Sequence, residues 1–276
     1  MLSLDILICT VNTRIVRIPD MLMPPQEGIT YIVSFQYTKD DYLALIPQIL
    51  LERSDVVFVK MRGEGLSANR NHALSYAQSD LIYLIDDDSR FLSNTIADIC
   101  ETFEQHPDID IALFQAQTYT GQPLRPYGAE QRCIASFTEI SPILTNEMVC
   151  RRSRIQGSLT FDARFGLSSH FLSCYEQQVF LIDACHKGLR IQFFPKDIIQ
   201  TSAIFQPRLL YVDQKVQRSY GALLYYAYGL PAMAHAFVFA LRNALRGKSR
   251  FIPLIKHLME GISYIRTTNK RLAAHR

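Results

Sequence analysis

The chain has no Gly-x-Gly-x-x-Gly after its first strand-like segment and no Gly-x-x-x-x-Gly-Lys-Ser/Thr at any position. The first absence excludes a dinucleotide-binding dehydrogenase and the second a P-loop kinase. Six cysteines are present, at positions 9, 100, 133, 150, 174 and 185. None forms a Cys-x-x-Cys pair or stands at zinc-site spacing from a histidine, so they read as reduced thiols of a cytosolic protein. No basic segment precedes the first apolar run, and Asp5 interrupts it, so the N-terminus does not read as a signal peptide. No internal repeat or low-complexity tract occurs. Charged residues are 20% of the 276 and hydrophobic ones 48%, which excludes a disordered chain and suits one enzyme-sized domain.

What is present centres on residues 81–88, Leu-Ile-Tyr-Leu-Ile-Asp-Asp-Asp. Five apolar residues suit a strand buried on both faces. Asp86, Asp87 and Asp88 then fall at its C-terminal end, where open α/β sheets place ligands. Three adjacent carboxylates repel one another, which points to a positive charge among them. A divalent cation carrying a nucleotide diphosphate is the simplest candidate, since Mg²⁺ and Mn²⁺ take oxygen ligands. The alternative is an acidic turn that caps the next helix. Just upstream, Gly65 and Ser67 suit a helix start. Arg70, one turn in, can attract phosphate together with the helix N-terminus; otherwise it is an ordinary surface arginine.

The pattern predicts strands over 4–10, 31–37, 56–60, 81–85 and 109–115. It predicts helices over 43–51 and 67–77 and another capped by Ser93. Such alternation argues for a mostly parallel, doubly wound α/β sheet. Residues 117–142 are rich in Gly, Pro and polar side chains. A loop that long is usually functional, and part of an acceptor site is expected there.

A strand ending in Asp-x-Asp, preceded by Gly65-Leu66-Ser67-Ala68-Asn69-Arg70-Asn71, resembles the inverting GT-A-fold glycosyltransferases of family 2. The resemblance continues through Leu159-Thr160-Phe161-Asp162-Ala163-Arg164-Phe165-Gly166, Tyr175-Glu176, Gly188-Leu189-Arg190-Ile191 and Phe194-Pro195, and covers about residues 4–200. It implies transfer of a sugar from a nucleotide-diphosphate sugar to an acceptor hydroxyl. It also implies Mg²⁺ or Mn²⁺ at Asp86 and Asp88, chiefly Asp88, and a donor lined by Thr10, Asn12, Gln36, Arg70, Asp86 and Asp87. Glu176 would be the catalytic base. The sequence departs from the family in three places: Cys9-Thr10-Val11-Asn12-Thr13-Arg14 replaces Pro-Thr-Tyr-Asn, Gln36 ends the second strand, and Gln177 follows Glu176 where a second acid is usual. The last departure supports a second reading, a catalytically silent domain that binds a nucleotide sugar or a partner. Sugar nucleotidylyltransferases share the fold but carry a Gly-rich N-terminal loop, and this chain has no glycine before Gly28.

The resemblance divides the chain into a catalytic domain over 1–205 and a helical extension over 206–276. Residues 222–241 are apolar apart from His235 and approach the length of a membrane span, although Pro231 interrupts them. Residues 242–276 carry nine Lys/Arg against one acid, Glu260. That is a net +8 in a chain of net +3. Apolar residues from Phe251 to Ile262 alternate with these cations, which suggests amphipathic helices on an anionic membrane surface. The alternative is a packed helical subdomain with a solvated basic face. A lipid-linked acceptor glycan, of the kind used in bacterial surface polysaccharide assembly, and a cytoplasmic, peripheral location would suit the first reading. No nucleic-acid-binding motif accompanies the charge.

Overall fold

The structure, a computed structural model, describes residues 2–202 and 208–274, with side chains to Asn269 in the last helix. The expected boundary at 205/206 and the side chains of Lys270, Arg271 and Arg276 lie outside the described residues.

Nine strands form one mixed, mostly parallel sheet: β1 Leu4–Val11, β2 Ile29–Tyr37, β3 Val56–Arg62, β4 Leu81–Asp86, β5 Ser89–Phe91, β6 Ile111–Gln117, β7 Arg132–Cys133, β8 Met148–Arg151 and β9 Ile191–Thr201. Their spatial order is β3-β2-β1-β4-β8-β6-β9-β5, with β7 beside β9. The pairs β1–β2, β2–β3, β1–β4 and β6–β9 are parallel; those made by β5, β7 and β8 are antiparallel. The chain runs outward from β1 to β3 and then returns to place β4 on the other side of β1. The crevice between β1 and β4 is therefore the switch point where such sheets bind ligands. All five apolar residues of β4 are buried, as an unbroken apolar run requires when both faces are covered.

Among the described residues, the α-helices of ten residues or more are α1 Leu66–Ser75, α2 Thr95–Gln105, α3 Glu176–His186, α4 Gln214–Tyr228, α5 Ala232–Leu245 and α6 Phe251–Ala274, and a ten-residue 3-10 helix, Asn12–Met21, follows β1. One core cluster, built around Ile6, Tyr31, Phe35 and Phe103, packs against α2. A second, built around Leu84, Phe161 and Phe180, continues into Ala222, Leu223 and Ile265. The C-terminal helices thus share a core with the sheet. Helices α4 and α6 touch at two glycines. A Cβ on Gly221 would lie 2.0 Å from the Leu258 carbonyl oxygen, and one on Gly261 1.9 Å from that of Arg218.

Several sequence expectations change here. The helix expected over 43–51 is two short pieces, a 3-10 turn at Asp40–Leu45 and a helical turn at Ile49–Glu52, because Pro47 cannot continue a helix. The strand expected over 109–115 lies at Ile111–Gln117. Ser93 and Ser67 do not cap. The cap positions are Asn94 and Gly65, and neither makes a side-chain cap bond. The apolar stretch 222–241 is broken between α4 and α5 by Gly229, at φ +62°, and Pro231. No described helix is long and apolar enough to cross a membrane. Leu254, Leu258, Ile262 and Ile265 of the basic tail face inward and are buried. The tail's apolar stripe is therefore covered by the protein's own helices.

Candidate active site

The C-terminal ends of β1 and β4 lie side by side, with Cys9 opposite Asp86. This register sets the acidic cluster against the residues that follow β1. Thr10 Oγ1 donates to Asp87 Oδ2 at 2.8 Å, and Arg14 Nε donates to the same oxygen at 2.9 Å. A second Arg14 nitrogen pairs with Asp87 Oδ1, and Arg14 also lies 3.9 Å from Asp88 Oδ2. Burial pushes the Asp87 carboxyl above its ordinary range, against the pull of Arg14 and Thr10.

Arg70 comes to the cluster from α1. It is buried, donates to Glu176 Oε1 at 2.8 Å and to Asp86 Oδ1 at 3.0 Å, and so joins α3 to the end of β4. Two arginines thus already stand among the three acids. Charge repulsion by itself does not require a metal there, contrary to the expectation from sequence.

Glu176 opens α3, and Tyr175 before it is left-handed at φ +78°. Gly166 lies against Glu176 at φ +105°; a Cβ there would sit 3.4 Å from Glu176 Oε2 and 3.2 Å from Ser67 Oγ. The backbone angle strains any other residue, and a Cβ would also press on the Ser67 hydroxyl. Ser67 Oγ donates to the Phe165 carbonyl at 2.7 Å, which holds that loop on α1. Asp162 accepts from Arg164 and Tyr226, and Arg164 reaches Thr268 and Asn269, so the same loop is tied to α4 and α6.

These residues surround a cavity of about 340 Å³ lined by Arg14, Arg70, the three aspartates and Glu176, among others. Gln177 also lines it, and its buried Oε1 has no hydrogen-bond partner among the described residues. Thr10, Asn12 and Gln36 do not line it. Thr10 stands behind Asp87. Asn12 Oδ1 accepts from the Thr38 amide at 3.0 Å, and Gln36 is buried and donates to the Gly65 carbonyl at 3.3 Å. Cys9 and Cys174 border the cavity, but burial pushes both thiols up to about 12, so neither is a thiolate nucleophile at neutral pH.

Four contributors were not read from sequence. Arg14 stood in a segment noted only as a departure. Asn146 Oδ1 accepts from the Asp86 amide at 2.9 Å, while its Nδ2 reaches Ser89 and Thr201. Ser202 donates to Asp88 Oδ2, and Tyr119 of the long loop donates to the Asp88 carbonyl. No local signal marks Asn146 or Ser202, whose partners lie far along the chain.

Among the described residues no three His, Cys, Asp or Glu side chains are grouped to hold a metal unaided. Asp86 and Asp88 still offer an all-oxygen pair. Mg²⁺ and Mn²⁺ bind through one or two carboxylates and complete their shell with waters and substrate phosphates. The residues therefore fit such an ion when it arrives with a nucleotide diphosphate.

The sheet, its crevice and the C-terminal helices are those of a GT-A fold. The family model for glycosyl transferase family 2 matches residues 22–162, just over half of the sequence, and the chain belongs to that family. The matched segment holds Gln36, Arg70 and the three aspartates; Thr10, Asn12, Arg14 and Glu176 lie outside it. The structure is similar to that of Staphylococcus aureus TarS residues 1–349, with TM-score 0.59 and 14% identity over 96% of this chain and 92% of that one. TarS 1–349 in complex with UDP-GlcNAc gives TM-score 0.58 and 16% identity over 94% and 81%. A longer TarS chain gives TM-score 0.58 and 16% identity over 88% of this chain; the match spans 44% of that chain. A search of curated proteins found no match.

Proposed function

We propose that the protein transfers a sugar from a nucleotide-diphosphate sugar to an acceptor hydroxyl with inversion. The observation that carries this reading is the convergence of Arg70, Asp86, Asp88 and Glu176, from three separate elements, on one cavity at the β1/β4 crevice. Glu176 takes the acceptor proton through Oε2, the oxygen Arg70 does not hold. Arg70 fixes the carboxylate's direction. Asp88 and Asp86 would hold Mg²⁺ or Mn²⁺, which when bound would supply positive charge to offset that of the leaving diphosphate. Thr10 and Arg14 keep Asp87 in place, which sets the direction of its neighbours. Asn12 and Gln36 shape the nucleotide end from behind.

The UDP-GlcNAc complex of TarS makes uridine nucleotides the first donors to test. The acid-poor, basic C-terminus suits a lipid-linked glycan acceptor, as in bacterial surface polysaccharide or glycolipid assembly. On this reading residues 1–205 catalyse, residues 206–276 serve the acceptor side, and the protein works peripherally on the cytoplasmic face of a membrane. A thermal-shift panel of nucleotides and nucleotide sugars, with and without Mn²⁺, tests donor binding. A true donor at a hundredfold excess over Kd stabilises by about 2.7 kcal/mol; no shift with any nucleotide contradicts the proposal. Gln177 favours a second reading, a silent binding domain. Such a protein would show the same shifts without turnover.

A further inference from the structure

Helix α5 is built the reverse of an ordinary surface helix. Its small residues Ala232, Ala236 and Ala240 point inward and are fully buried. Its large apolar residues point out: Leu245 is 81% exposed, Val238 62% and Phe237 51%, with Met233 and Leu241 exposed beside them. Spacings of three and four residues place them on one face. Leu230 before the helix and Ile252 at the start of α6 are also exposed, at 60% and 75%.

The sequence on either side of this helix carries charge of one sign. No Asp or Glu occurs between Asp213 and Glu260, an interval that holds seven Lys or Arg. Arg242, Arg246, Lys248 and Arg250, at the end of α5 and just beyond it, are all exposed. An apolar helix face with adjacent cations and no acid matches the interface of an anionic bilayer, where such a face sinks about 5–10 Å below the headgroups. A second copy of this chain fits less well. Two-fold pairing through α5 would desolvate its apolar face but bring the two basic ends into one assembly, with no acid on either helix to answer them.

We infer that α5, rather than the basic tail helix α6, is the surface by which the protein docks on anionic lipid. The inference deepens the proposed reading, on which the acceptor is lipid-linked. The inner side of α5 is close to the reactive end of the cavity. Phe239 packs on Tyr220 with tilted rings at 4.8 Å between centroids, and Tyr220 on Tyr175 likewise at 5.9 Å; Tyr175 directly precedes Glu176. Docking through α5 would hold the acceptor entrance near the headgroup plane.

The test is co-sedimentation of the full chain with vesicles of phosphatidylcholine containing 30% phosphatidylglycerol, and with pure phosphatidylcholine, at low and high salt. Wild type should partition onto the anionic vesicles at least tenfold better than onto neutral ones. Val238→Asp/Leu245→Asp should lose at least tenfold of that binding while keeping its melting temperature and nucleotide binding, since both side chains are largely exposed. Arg242→Gln/Arg246→Gln/Lys248→Gln should lose the salt-sensitive part. Equal binding by wild type and the Asp variant overturns the inference, as does equal binding to both vesicle types. A concentration-dependent dimer that the Asp variant abolishes, with no vesicle binding, assigns the face to a second copy instead. Glu176→Gln should bind vesicles like wild type, so loss of sugar transfer and loss of lipid docking are read separately.

Discussion

Arg70 donates to Glu176 at 2.8 Å and to Asp86 at 3.0 Å, so one buried guanidinium links the candidate base to the first residue of the acidic cluster. Removing one partner of a buried pair leaves an uncompensated charge and costs about 3–5 kcal/mol. Arg70→Ala should therefore lower stability by roughly 3 kcal/mol. Glu176→Gln in the same chain should recover part of that loss, because the stranded charge is gone. Urea unfolding of the two single variants and the double variant measures the coupling; purely additive effects would mean that the pair contributes nothing specific.

Asp88 is the carboxylate of the cluster that neither arginine holds closely; its nearest arginine contact is 3.9 Å. Asp88→Ala should abolish Mn²⁺-dependent nucleotide binding and leave the melting temperature nearly unchanged. Calorimetric titration of UDP with and without Mn²⁺ reads this. Equal Mn²⁺-dependent binding by variant and wild type removes Asp88 from the metal site.

The pH dependence of stability separates half-buried Asp162 from buried Asp87, whose carboxyls shift in opposite directions. Burial works to raise the Asp162 carboxyl, but hydrogen bonds from Arg164 and Tyr226 outweigh it and hold it below the ordinary range. Its contribution is present above the unfolded value and is lost as pH falls through the folded one. Asp87 is held above the ordinary range, so stability falls as pH rises from its unfolded to its folded value. Asp162→Asn should flatten the acid-side loss of stability in urea unfolding between about pH 5 and pH 2. An unchanged slope would mean that the Asp162–Arg164–Tyr226 cluster does not fasten the loop to α4 and α6.

The strands and the acidic cluster were legible because their signal is local. The unbroken run in β4 requires two covered faces, and α1 and α3 begin beside recognisable motifs. Arg14 was not legible as a partner of Asp87, since 73 residues separate them and only the parallel register of β1 and β4 brings them together. That missing partner is why the repulsion argument for a metal was stronger in sequence than in structure. The tail misled for a related reason. An amphipathic stripe looks the same whether lipid or another helix covers it, and here α4 and α5 cover α6.

The proposed function stands or falls on Glu176 acting as the base of a working transferase although Gln177 follows it. It is tested most directly by nucleoside diphosphate release from nucleotide sugars, wild type against Glu176→Gln, with donor affinity measured alongside. Wild type should turn over at least one donor, and the variant should be slower by roughly two to four orders of magnitude, the usual worth of general acid–base catalysis, at nearly unchanged donor affinity. Turnover retained in the variant would place the base elsewhere. Donor binding without turnover by wild type would contradict the claim and leave a binding domain.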